Sequence, residues 1–85
     1  MEKIHVLLVE DELTLAMIIK DTLEEQEFII TTASDGEEGL RTFFAQKPDI
    51  VVADVMMPRM DGFEMVRRIR QTDKLTPVLF LTARS

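Results

Sequence analysis

Cysteine is absent from these 85 residues. There is therefore no disulfide framework and no thiolate zinc site, and a reducing compartment fits. Long apolar runs are missing as well. The opening stretch "MEKIHVLLVEDE" holds only a few apolar residues before acids interrupt it, too short for a signal h-region or a membrane span. A soluble cytoplasmic protein with no membrane partner is the expectation. Bases are outnumbered, 10 against 16 acids, for a formal net charge of -6. That balance disfavours direct nucleic-acid binding by this domain alone, because phosphates are repelled. No repeat, low-complexity stretch or linker divides the chain. The hydrophobic share of 46% suits one small folded domain, with a thin stability margin.

What is present alternates in period. Residues 4–9, "IHVLLV", form a short branched apolar run that reads as a buried strand. Residues 13–26 read as a helix, with Ala16, Ile19 and Leu23 on one face and Lys20, Asp21, Glu24 and Glu25 toward water. "FIITTA", 28–33, is a second, more polar strand. In "SDGEEGLRTFFAQKP", Asp35 and Glu38 stand at capping-box spacing, Leu40, Phe43 and Phe44 form a helical stripe, and Pro48 stops the helix. "DIVVAD", 49–54, is a third strand. Asp61 and Glu64 repeat the capping-box spacing before an inner face of Met65, Val66 and Ile69. Arg67, Arg68 and Arg70 follow near that helix's C-terminus, where the dipole favours cations. "PVLFLT", 77–82, is a fourth strand. The alternation predicts an α/β fold with a parallel sheet. Thr31 and Thr32 place the second strand at an edge, which yields a flavodoxin-like order 2-1-3-4 with right-handed crossovers. The winding reverses between strands one and three, and their C-terminal ends flank the usual ligand crevice of such a sheet.

Acids end both of those strands. "VEDE" puts Glu10 and Asp11 after the first, and Asp54 closes the third. Parallel neighbours lie about 4.8 Å apart, so the carboxylates converge on one rim. Clustered carboxylates repel unless a cation joins them, and oxygen-only donors suit a hard cation, Mg²⁺ (or Mn²⁺). Two plainer roles compete: an acidic first turn for Glu10, Asp11 and Glu12, and a post-strand turn for Asp54. His5, the sole histidine, sits inside the first strand and is expected to pack rather than relay a phosphoryl group.

The stretches "VLLVEDE" (6–12), "ASDGEEGL" (33–40), "PDIVVADVMMPRMDG" (48–62) and "PVLFLTA" (77–83) span nearly the whole chain. In this order the chain resembles the receiver domain of two-component response regulators. The resemblance implies that Asp54 takes a phosphoryl group from a sensor histidine kinase, in a phosphorelay switch that depends on Mg²⁺. It implies that Glu10 and Asp11 bind the metal, with Asp11 the more direct ligand, and that the backbone carbonyl of Met56 completes the site. Thr82 resembles the switch hydroxyl that contacts the phosphoryl oxygen. Pro58 and Gly62 shape the loop, and Asp61 caps the helix after it.

The family pattern runs on past Ser85 with a further helix, a fifth strand bearing a phosphate-contacting lysine, and a last helix. Lys74 is in the wrong place to replace that lysine. Residues 1–85 therefore read as the N-terminal portion of a receiver, incomplete after the fourth strand. That strand is apolar on both faces, and its open edge is expected to pair with a second copy as a homodimer. A phosphorylation-impaired interaction module is the alternative function. A haloacid-dehalogenase-type enzyme is disfavoured by Met56, where that class wants a second acid. A nucleotide-binding domain is disfavoured because "EDELT" has no glycine for a phosphate loop.

Overall fold

The computed structural model describes residues 2–81. Its elements run β1 (His5–Val9), α1 (Leu13–Glu25), β2 (Ile29–Ala33), α2 (Gly36–Gln46), β3 (Ile50–Asp54), α3 (Gly62–Ile69) and β4 (Val78–Leu81). All strand pairs are parallel, in the expected order β2-β1-β3-β4. β1 lies between β2 and β3, with Val9 opposite both Ala33 and Ala53. Val6, Leu7, Leu8 and Val9 are essentially sealed from solvent, as a strand covered on both faces requires.

Strand alternation divides the core into two layers. Leu7, Val9, Val51 and Ala53 face α2 and α3, where Phe43, Met65 and Ile69 meet them. Val6 and Leu8 face α1, against Ala16 with Ile19 and Leu23 beside it. The inner face anticipated for α1 is therefore the observed one. Its opposite face is more apolar than anticipated, with Leu13, Met17 and Ile18 exposed. Lys20 and Glu24 pair across one turn of that helix at 3.0 Å.

Two expectations for the other helices need correction. Phe44 does not belong to the inner stripe of α2: it is 47% exposed, whereas Phe43 is 4% exposed. The buried stripe is Gly36, Gly39 and Phe43, and Phe44 stacks edge-on against Phe43 from outside. Neither capping box closes reciprocally. Asp35 and Asp61 do cap α2 and α3, accepting from Glu38 N and Glu64 N at 2.8 Å each. Glu38, however, accepts from the backbone and hydroxyl of Ser34, and Glu64 turns outward to Arg67 and Arg68. Hydrogen bonds from those two guanidinium groups hold the Glu64 carboxyl down to about 2. α2 ends at Gln46, before Pro48, with Lys47 in the left-handed region.

His5 packs as anticipated, its Nε2 2.7 Å from the Thr31 hydroxyl. No helix among the described residues is long and apolar enough to cross a membrane.

The two phenylalanines supply a test of the α2 register. Phe43→Ala should destabilise the chain by about 3 kcal/mol or more, and Phe44→Ala by about 1 kcal/mol or less. Urea unfolding followed by circular dichroism reads both. Equal losses would contradict the observed stripe.

Candidate functional site

The site is assembled from strand ends. Glu10 continues the ladder one residue beyond β1, its N–H donating to the Ala33 carbonyl at 3.0 Å. Asp54 is the last residue of β3, opposite Leu81 of β4. Because β1 and β3 are parallel neighbours, Glu10, Asp11 and Asp54 meet at one rim, with carboxylate oxygens within 4.8 Å of one another. They differ in exposure: Glu10 is buried, Asp54 half-buried and Asp11 exposed.

Burial drives the electrostatics of Glu10. Desolvation pushes its carboxyl above the usual range, the Glu12 N–H opposes that shift, and the Asp54 and Asp11 charges add to it. Glu12 N donates to Glu10 Oε2 at 3.0 Å, which orients the buried carboxylate. The third acid of "EDE" has a different role. Glu12 caps α1, accepting from Thr14 N and Leu15 N at 3.0 and 3.2 Å. Glu12 thus takes the helix-start role, as the N-cap rather than within the first turn, and all three acids border a cleft of about 530 Å³. Leu15, Ile19 and Leu81 supply the apolar wall of that cleft.

A short loop follows Asp54. Gly62 N donates to the Val55 carbonyl at 2.8 Å and starts α3 directly beneath the strand end. A Cβ on Gly62 would lie 2.3 Å from the Asp54 carbonyl oxygen, so only glycine permits this approach. Met56 is 77% exposed. Met60 folds back into the core and is 7% exposed. Thr82 lies outside the described residues.

One contact was not anticipated. Arg59 Nη1 donates to Asp35 Oδ2 at 3.0 Å, joining this loop to the N-terminus of α2. The Glu38 N–H, followed by the Arg59 charge, draws the Asp35 carboxyl below its ordinary value despite partial burial. The cap at Asp35 was legible from its spacing to Glu38; a partner 24 residues away was not.

Residues 6–85 match the family described as "Response regulator receiver domain". The chain is 44% identical over 81 residues to the transcriptional regulatory protein TrcR of Mycobacterium tuberculosis, covering 95% of this chain and 32% of that protein. It is 40% identical over 79 residues to the alkaline phosphatase synthesis transcriptional regulatory protein PhoP of Bacillus subtilis, covering 93% and 33% respectively. The chain thus spans about a third of the length of the curated relatives it matches. Among solved structures, the chemotaxis response regulator CheY4 of Vibrio cholerae superposes with a TM-score of 0.94 at 34% identity, over 99% of this chain and 72% of that one. The response regulator TrrA of Thermotoga maritima, solved in complex with Mg(2+)-BeF, superposes with a TM-score of 0.92 at 36% identity, over 96% and 71%. With the strand order, the acidic rim and these similarities in agreement, the chain belongs to the response regulator receiver domain family of two-component systems.

Proposed function

We propose that Asp54 is the phosphoacceptor of this receiver and that Glu10 and Asp11 hold a divalent cation beside it. The observation that carries this is the convergence of the three carboxylates within 4.8 Å at the rim of a parallel sheet. Three oxygen donors with no nitrogen or sulfur fit Mg²⁺ or Mn²⁺, and the similarity to a protein solved with Mg(2+)-BeF supports the same choice. The cation, when bound, neutralises charge on the phosphoryl oxygens.

The chain's own residues do the rest. The Asp54 carboxylate acts as nucleophile: a phosphorus–oxygen bond forms to it while the donor's phosphorus–nitrogen bond breaks, and the donor nitrogen keeps the electron pair. The donor is the phosphohistidine of a sensor histidine kinase. Glu10, buried and oriented by the Glu12 N–H, fixes one side of the rim. Asp11, exposed beside it, presents the more accessible oxygens. The Met56 carbonyl completes the donor set, and the Thr82 hydroxyl contacts the transferred group. Any phosphoryl transfer is onto the chain itself, so its role is that of a cytoplasmic signalling domain rather than an enzyme acting on other molecules. The acidic net charge weighs against direct nucleic-acid binding by residues 1–85.

A separate observation favours self-association of this chain. β4 is the outer strand of the described sheet on its side, and Leu79 and Phe80 are exposed. Phe63 of α3, 59% exposed, stacks on Phe80 with ring centroids 4.9 Å apart and widens the apolar patch. Such an edge is a template for a second copy. A homodimer through β4 is the form proposed, and it does not depend on the phosphoacceptor assignment.

Three measurements test these assignments. A small phosphodonor with Mg²⁺ should add one hydroxylamine-labile phosphoryl group, and Asp54→Asn should abolish it; mass-spectrometric mapping of the label to a serine or threonine would refute the assignment. In metal-free buffer Asp54→Asn should raise the melting temperature, because one of three repelling carboxylates is gone. About 1 kcal/mol, or roughly 4–8 °C, is the expected gain, and Mg²⁺ should stabilise the parent more than the variant. Light scattering over a concentration series should show dimers that Leu79→Lys weakens, with circular dichroism confirming that the variant is folded. A folded parent monomer at every concentration would rule out the β4 interface.

A further inference from the structure

We propose that Asp35 is a positioning residue for the loop that follows the acceptor, acting through Arg59. This rests on the assignment of Asp54 and the loop after it as the metal and phosphoryl site.

The loop makes an unusual turn. Met60 N donates to the Pro58 carbonyl at 2.8 Å, closing a three-residue turn around Arg59. Arg59 has φ 68, in the left-handed region. A turn of this hand around a residue that bears a side chain is strained. Glycine at this position would remove the strain, so the arginine needs a reason, and its side chain supplies one. Nη1 of Arg59 reaches Asp35 Oδ2 at 3.0 Å, while Asp35 Oδ1 accepts from Glu38 N at 2.8 Å. The two oxygens of one carboxylate thus act separately, one capping α2 and the other holding the turn.

An exposed ion pair alone contributes little. This one is asymmetric: the Arg59 side chain is 65% exposed, but that of Asp35 is only 11% exposed and fixed by its cap. The anchor is therefore rigid and the arginine reaches to it. The backbones also touch, since a Cβ on Gly36 would lie 2.1 Å from the Met60 carbonyl oxygen. The start of α2 and the turn at 58–60 form one contact surface. Met56 lies between this anchor and the second fixed point, the Gly62 N–H on the Val55 carbonyl. Through the pair, β2 and α2 govern a segment that belongs to the site of β1 and β3.

The test uses the sign of each charge. Asparagine caps helices as well as aspartate does, so Asp35→Asn removes the pair and keeps the cap. Arg59→Ala removes the pair from the other side. If these residues acted only as distant charges, losing an acid would weaken Mg²⁺ binding and losing a base would strengthen it. Positioning predicts that both variants weaken Mg²⁺ binding, by about threefold to tenfold, that the double variant is no worse than either alone, and that Arg59→Lys largely restores affinity. Calorimetric titration with Mg²⁺ measures all four. Independently of metal, amide hydrogen exchange of Met60 and Gly62 should quicken about tenfold or more in Asp35→Asn, with protection in β1 and β3 unchanged. Unchanged exchange, or tighter Mg²⁺ binding by Arg59→Ala, overturns the positioning role while leaving the site itself intact. A parent chain that takes up no Mg²⁺ overturns the site and this role together.

Discussion

Three carboxylates held within 4.8 Å repel one another, and the fold must resist that repulsion before any cation arrives. It does so by tying two of them to the hydrogen-bonded sheet. Glu10 remains in the ladder through the Ala33 carbonyl, and Asp54 ends a strand paired on both sides. Behind them β1 is sealed on both faces, by α1 on one and by α2 and α3 on the other, while β3 is sealed on the α2–α3 face and half-buried on the other. Charge at the rim is thus supported by apolar packing beneath it.

Much of this was legible because periodicity and topology are local or nearly so. The run "IHVLLV" yields a buried strand, Thr31 and Thr32 mark the edge, and the alternation of elements leaves few ways to order a parallel sheet. Once β1 and β3 are neighbours, Glu10, Asp11 and Asp54 must meet. The family resemblance rested on the same residues, and the family match agrees with it.

The misses share a different cause. Phe43 and Phe44 are equally apolar, and a stripe at helical spacing accommodates either. The choice was made by two glycines on the same face, Gly36 and Gly39, which bring α2 close to its neighbours and leave Phe44 outside. Glu38 and Glu64 stand at capping-box spacing, yet Ser34 and the pair Arg67 and Arg68 are better partners. The Asp35–Arg59 pair spans 24 residues and depends on tertiary approach, so no local spacing carries it. In each case a competing contact outweighed a correct local rule.

Acids at the junctions between strands and helices show how one residue type divides into two functions. Glu12, Asp35 and Asp61 each commit a carboxylate oxygen to a backbone N–H of the helix that follows. Those acids build the scaffold, because an uncapped first turn leaves donors unsatisfied. Glu10, Asp11 and Asp54 sit one or more residues earlier in their junctions, on the strand side, where no helix N–H claims them as a cap. Position relative to the cap therefore separates structural acids from the candidate site. In "EDE" the boundary falls between Asp11 and Glu12, and in "DVMMPRMDG" between Asp54 and Asp61. Asp35 sits on the scaffold side of that boundary, yet its second oxygen reaches across to Arg59 in the acceptor loop. A capping residue with an oxygen to spare thus ties the start of α2 to the acceptor loop, as the Glu12 N–H ties the start of α1 to Glu10.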